Sequence, residues 1–465
     1  MKTQQIIFKG SGKITTAAFI KNKNMRYGQI RFKGGGRINN VRIIGLDNGG
    51  GGGGEESPTY KDEECLGFTA VDGDVNVSLY NKGGNAPIIY YKREGQNWTL
   101  WDYAALTIAE GETIRFYGEN DLQFSKSQSV YSKFIMSGAG KIEASGDCNS
   151  LATKYKTYTI KNYCFLNLFY DCTLLTAAPI LSAVFIANNC YANMFRSTNI
   201  IVSPELPAET LYDYCYAGMF IGCKSLTNVS KIHGIKLATN CYQQMFFNCT
   251  SLINAPELNS TNLADFCYYG MFEECTSLTK APELPATTLK LGCYKEMFDG
   301  CTSLINAPEL PATTLVNSCY MYMFYGCRSL IVAPNLPATT LANDCYNRMF
   351  YQCRSLTTAP NILPATTLAN SCYIYMFGYC YNLLNAPELP ATTLTTNCYS
   401  NMFEGCNKIN HIKAMFLTIP SSSYTNNWLL NVAANGTFVK NSQATWDVSG
   451  PNGIPTGWTV ETADN

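Results

Sequence analysis

The chain has 465 residues, of which 46% are hydrophobic and 13% aromatic, with zero formal net charge. That is enough apolar material for two or three domains and too much for wholesale disorder. No run approaches the roughly 18 to 20 apolar residues of a membrane helix, so membrane insertion is not expected.

The charge is unevenly spread. Residues 1–48 carry ten Lys and Arg (Lys2, Lys9, Lys13, Lys21, Lys23, Arg26, Arg31, Lys33, Arg37 and Arg42) against Asp47 alone. The same segment alternates apolar and polar residues around Gly turns, as in "GQIRFKGGGRINNVRIIG", which predicts short strands. A basic β-rich foot of this kind suits docking on an acidic surface, with Lys9, Lys13, Lys21, Lys23, Arg26, Arg31, Lys33, Arg37 and Arg42 as the docking residues. An ordinary basic β-segment is the plainer alternative. No nucleic-acid module is evident, so nucleic acid is not an expected partner. The start also lacks the apolar core of a secretory signal, so synthesis in a cytoplasm without export is expected. Residues 49–57, opening on Gly49–Gly54, read as a flexible joint. Residues 58–158, with "VNVSLY", "PIIYYKR" and "TIRFYG", alternate again and predict a β-sandwich.

Residues 159–412 are a repeat. A leading cysteine recurs at Cys164, Cys190, Cys215, Cys241, Cys267, Cys293, Cys319, Cys345, Cys372 and Cys398. A second follows eight residues later in every copy except the second, which has Thr198. Ten units of about 26 residues predict a solenoid, because one unit cannot bury its own apolar side. In "CYKEMFDGC", Cys293, Met297, Phe298 and Cys301 fall at i, i+4, i+5 and i+8, which predicts a short helix with one inward face. Ser318, Asp344, Ser371 and Asn397 stand where helix N-caps would. "SLINAPEL" predicts a brief strand that its proline cuts short. The predicted class is thus an α/β solenoid of short strands and helices, preceded by all-β domains. Residues 413–465, with Trp428, Trp446 and Trp458, are expected to cap it.

The thiols are expected to be reduced packing groups. Two cysteines eight apart on one helix lie about 12 Å apart, beyond the disulfide limit. Disulfides between coils and metal binding are the weighed alternatives, but no Cys-x2-4-Cys knuckle occurs. His233 and His411 read as lone surface histidines, and neither a nucleophile with its base nor a phosphate-binding Gly motif appears. No catalytic residue, metal or cofactor is therefore expected. After each proline runs a ladder of Glu205, Glu257, Glu283, Glu309, Asn335, Asn361 and Glu388, either splayed into solvent or bridged by a cation. Phe247, Tyr269, Tyr322, Tyr325, Tyr351, Tyr375 and Tyr379 lie off the inward stripe and form the candidate partner-binding set, with packing between coils as the alternative.

The stretch "CTSLTKAPELPATTLKLGCYKEMF" resembles the BspA-like branch of leucine-rich repeats, in its Cys-Tyr-x-x-Met-Phe form, found in gut Bacteroidetes surface proteins and their phages. The resemblance covers roughly residues 160–412; the tail and residues 66–150 look like the cap and β-sandwich that flank such arrays. It implies a horseshoe-like array and a non-enzymatic, virion-attached fibre or capsid decoration protein. Residues 1–48 would meet other virion proteins, and the solenoid would meet a host surface protein or a mucosal glycan. Fibres are often trimers, so a homo-oligomer belongs to the same expectation. A bacterial cell-surface adhesin is the alternative.

Overall fold

The computed structural model describes residues 59–463 throughout, together with the backbone of four earlier strands. The chain divides into two compact units, Met1–Ser57 and Pro58–Asn465.

In the first unit, β1 (Gln4–Lys9) pairs in parallel with β3 (Tyr27–Lys33), and β2 (Ala17–Lys21) with β4 (Val41–Gly45). Ala17 pairs with Val41 and Ile6 with Ile30, so both pairs share one offset of 24 residues. The strand segments "IIFK" and "IRFK" are therefore paired copies 24 residues apart, a repeat that simple alternation does not reveal. Lys9 and Lys33 are register partners. Lys21, Arg31 and Arg42 also lie on these strands, while Lys13, Lys23, Arg26 and Arg37 fall outside the described residues.

The second unit opens with eight strands: β5 (Leu66–Val71), β6 (Val75–Asn81), β7 (Ile89–Arg93), β8 (Thr99–Leu100), β9 (Leu106–Ile108), β10 (Thr113–Gly118), β11 (Ser132–Gly138) and β12 (Lys141–Ser145). One sheet has the order β12-β5-β10-β7-β8 and the other β11-β6-β9. Phe68, Phe116 and Phe134 meet between them at 4.9–5.8 Å. The larger sheet gains a sixth strand from the first coil of the repeat, β13 (Leu175–Ala177), parallel to β12. Phe134 also stacks on Phe169 of that coil at 5.6 Å, so sandwich and solenoid share one hydrophobic core.

The repeat is a solenoid, but its Cys-Tyr-x-x-Met-Phe segments are not helices. Among the described residues the only helical pieces are three short 3-10 turns, at Asp62–Glu64, Cys148–Leu151 and Ser422–Tyr424. No helix there is long and apolar enough to cross a membrane. Each coil is instead a chain of tight turns. In the seventh, Met321, Met323, Tyr325 and Cys327 donate their N–H back three residues to Ser318, Tyr320, Tyr322 and Phe324. The alternate residues Tyr320, Tyr322, Phe324 and Gly326 donate forward, to Cys345, Asn347, Met349 and Tyr351 of the next coil. An α-helix would spend every N–H inside its own segment, leaving nothing to join the coils. The turn chain satisfies all donors and ties each coil to its neighbour.

That backbone requires a left-handed residue every fourth position. Ser318, Tyr322 and Gly326 have φ of 55°, 57° and 66°. Ser318, Asp344, Ser371 and Asn397, expected as N-caps, are such left-handed turn residues, with φ of 54–56°. A four-residue repeat sends i, i+4 and i+8 inward much as a helix does. The leading cysteine, Tyr, Met, Phe and second cysteine of each full copy are accordingly almost completely buried.

Two aromatic ladders follow. Tyr191 to Tyr399 stack coil on coil at 5.6–6.0 Å within 11° of parallel. Phe169 to Phe403 stack at 5.4–5.7 Å within 14°. Such separations lie within the attractive range for aromatic pairs. Across from the turns, "SLINAP" shrinks to single parallel bridges, Asn254 to Lys280 to Asn306 to Val332 to Thr358 to Asn385, because a proline follows two residues on.

All 21 cysteines are unpaired and buried. The second cysteine of each coil is a hydrogen-bond donor: Cys249, Cys275, Cys301, Cys327, Cys353, Cys380 and Cys406 reach the Phe carbonyl one coil back at 3.0–3.1 Å. Thr198 replaces it in the second coil and its hydroxyl donates to the Phe195 carbonyl at 2.8 Å. Burial pushes the thiols up, Cys345 to about 12, which keeps them neutral donors.

The last coil is closed by an eleventh rung. Tyr399, Asn401, Phe403 and Gly405 donate forward to Tyr424, Asn426, Trp428 and Leu430, and Trp428 stacks on Tyr399 at 5.9 Å. Behind it lies the parallel sheet β14 (His411–Ala414), β15 (Thr437–Asn441), β16 (Thr459–Ala463). The indoles of Trp428, Trp446 and Trp458 donate to the carbonyls of Gly453, Phe416 and Ala433 at 2.8–3.0 Å.

Three outcomes are expected. A thiol reagent modifies almost nothing in the native protein and 21 groups after denaturation; substantially fewer would mean paired sulfurs. Phe324→Ala opens two interfaces of the Phe ladder and costs about 3–5 kcal/mol in denaturant unfolding. Cys327→Ala, losing one neutral donor, costs about 1 kcal/mol from that bond.

Candidate surface on the turn wall

The turns leave four outward columns, at two, three, six and seven residues after each leading cysteine. The third-residue column is left-handed in every coil: Asn167, Asn193, Gly218, Gln244, Gly270, Glu296, Tyr322, Arg348, Tyr375 and Asn401. Asn and Gly are the residues that adopt this conformation readily. Glu296, Tyr322, Arg348 and Tyr375 are bulkier, occupy consecutive coils, and hold φ of 53–57°. Each costs roughly 1–2 kcal/mol relative to an unstrained backbone.

Five of the seven sequence-selected aromatics converge here. Tyr322 and Tyr325 meet at 5.6 Å, Tyr325 stacks on Tyr351 at 5.1 Å, and Tyr351 takes Tyr375 and Tyr379 edge-on at 5.5 and 5.4 Å. All five are half-buried. They pack across coils and still show ring surface to solvent. The guanidinium of Arg348 lies over both Tyr322 and Tyr375, at 5.4 and 4.6 Å, and donates to the Tyr322 hydroxyl at 3.1 Å. Tyr379 donates its hydroxyl to Glu404 at 2.5 Å, which together with partial burial raises its pKa. Burial likewise raises Tyr325 and Tyr375.

Phe247 and Tyr269 stand apart. Phe247 shares a column with Tyr325, but Glu273 and Asp299 of the two intervening coils separate them. Tyr269 packs edge-on against Phe266 at 6.3 Å and lies under the Lys295 ammonium at 5.2 Å. Arg348 was not selected by reading aromatics alone, nor was Tyr381, 6.2 Å from Tyr379 and 37% exposed. The signal for Arg348 is the outward column it belongs to; Tyr381 follows the second cysteine and lies outside those columns.

Between these groups sits an acidic patch. Burial, with Glu296 and Glu274 adding, pushes Glu273 up to about 7 against the Gln244 hydrogen bond that lowers it. Burial and then Glu273, Glu296 and Glu274 push Asp299 up to about 8. Lys295 pairs with Glu296 at 3.3 Å.

The Glu ladder lies on the opposite, strand side. Glu205 meets His233 at 2.8 Å and Glu388 meets Lys413 at 3.0 Å, each one coil on. Glu283 and Glu309 flank an open cleft of about 640 Å³ walled by Pro282, Pro285, Pro308 and Pro311. On the same side Ile253, Ile305, Ile331 and Leu384 are 43–50% exposed, each one step after the buried Leu of its coil. Among the described residues no three His, Cys, Asp or Glu side chains are grouped to hold a metal. No family model matches the sequence, and no curated protein matches it.

The acidic patch sets a pH dependence. Its folded carboxyls hold protons more tightly than unfolded ones, whose pKa is about 4. The stability they contribute is full below about pH 4 and lost as pH rises through about 7 to 8. Glu273→Gln with Asp299→Asn is expected to raise the denaturant midpoint at pH 9 and to match the parent near pH 4. An unchanged difference between the two proteins across that range would contradict this assignment.

Proposed function

We propose that this protein is a non-enzymatic adhesive display protein whose solenoid holds a partner-binding wall at Tyr322, Tyr325, Arg348, Tyr351, Tyr375 and Tyr379. The carrying observation is that Glu296, Tyr322, Arg348 and Tyr375 keep strained left-handed backbones in four successive coils, where Gly or Asn would sit without strain. Half-exposed tyrosines clamping an arginine are a common composition for a binding hot spot. The buried, neutral thiols support a packing role, since a nucleophilic cysteine needs access and a lowered pKa.

The setting we propose, on the BspA-like resemblance, is a phage virion. The protein would be a fibre or capsid decoration attached through the basic residues of 1–48, with a host surface protein or mucosal glycan as partner. The alternative setting is a bacterial cell surface, and the wall would act identically there. The location is tested by mass spectrometry of purified particles: residues 1–57 removed, the protein should no longer co-purify with virions. Retention on the particle would discard the foot.

The wall is tested by Tyr322→Gly with Tyr375→Gly. Backbone relief offsets part of the lost ring contacts, so stability should stay within about 1–2 kcal/mol of the parent. Adhesion to host cells or mucin should fall about tenfold or more, the loss of one or two hot-spot contacts. Unchanged adhesion in a folded double variant would refute the wall.

A further inference from the structure

The first four coils of the same wall carry a different chemistry. A cleft of about 410 Å³ opens there, within the usual range of small-ligand sites. Its lining is amide-rich, with Asn167, Asn189, Asn193 and Gln243 beside Arg196 and Tyr214. Gly218 makes the space. Its column neighbours are Asn193 and Gln244, and a Cβ at Gly218 would lie 2.5 Å from the Asn193 Oδ1.

We propose that this cleft binds a carboxylate-bearing saccharide. Arg196 makes no ion pair among the described residues; its guanidinium only lies over the Tyr170 ring at 5.5 Å. An arginine fork left without a carboxylate is suited to supply two parallel donors to one. The side-chain amides of Asn167, Asn193 and Gln243 make no hydrogen bond to any described residue, and neither does that of Asn189, although Asn189 is only 9% exposed. Each amide both donates and accepts, which is what a row of sugar hydroxyls requires. Gln244 is already engaged by Glu273 at 3.3 Å and is not part of this set. Tyr214, 39% exposed, offers a ring face to the C–H face of a pyranose. A single cation among amides suits one carboxylate and many hydroxyls better than a polyphosphate.

The site is separate from the tyrosine wall and tests separately. The full chain is titrated by calorimetry and saturation-transfer NMR with sialyllactose, digalacturonate, neutral lactose and sodium acetate. One of the two acidic sugars should bind at least about tenfold more tightly than lactose or acetate, the margin of one charge-assisted contact. Which of them binds distinguishes a sialic acid from a uronic acid. Arg196→Gln should remove that margin. Gly218→Asn, a residue tolerated in left-handed backbone, should fill the notch and weaken the acidic sugar about tenfold without lowering the melting temperature. Tyr322→Gly with Tyr375→Gly should leave it unchanged. Equal binding of lactose, or of acetate, overturns the proposal, as does full binding by folded Arg196→Gln or Gly218→Asn. Those results leave the tyrosine wall standing, because its own test uses other residues and another readout.

Discussion

The structure depends on the forward hydrogen bonds from every second residue of one coil to the next. They lock the register of neighbouring coils, so that each inward side chain meets its own equivalent. The Tyr and Phe ladders follow from that lock, since like stacks on like at nearly constant separation. A slip of one residue would set half of the inward side chains against outward columns and leave half the backbone donors without acceptors.

Cysteine fits the narrow interior for two reasons. It is small enough to sit at the corner of each coil, and its S–H reaches the Phe carbonyl of the preceding coil. That carbonyl also accepts a backbone N–H, as when Phe298 accepts from both Cys301 and the thiol of Cys327 at 3.1 Å each. Thr198, in the second coil, instead donates within its own coil to the Phe195 carbonyl that Cys223 reaches from the next coil. High thiol pKa values follow from the same burial and keep the donor protonated.

Because the inside is repetitive, individuality is confined to the outward columns. Amides stand in them in the first, second and fourth coils around Gly218 of the third, acids in the fifth and sixth, and tyrosines with Arg348 in the seventh to ninth. Of the three left-handed columns, the one three residues after the leading cysteine is the telling one. Gly and Asn would be the low-cost choice at every coil, yet Tyr and Arg are held there where they contact one another across coils. Strain of this kind is tolerated where the surrounding stack over-determines the backbone.

The sequence by itself determined the repeat, its length, the inward set from cysteine to cysteine, and the truncation of the strands at proline. Spacing could not separate a helix from a chain of turns, because periods of 3.6 and of four send the same short set inward. The distinguishing signal was Asn, Gly, Ser and Asp at every fourth position, as in Asn189, Asn193 and Ser197, and it speaks of backbone sign and not of hydrophobicity. Trp428 gave no repeat signal as the eleventh rung, since there Tyr424 stands for the leading cysteine, the indole for the Met and Leu429 for the Phe. The seven off-stripe aromatics were legible, but their division into a cluster of five tyrosines and two outliers, Phe247 and Tyr269, was not. Contacts between coils join residues about 26 apart, and only the forward hydrogen bonds decide which columns stand side by side.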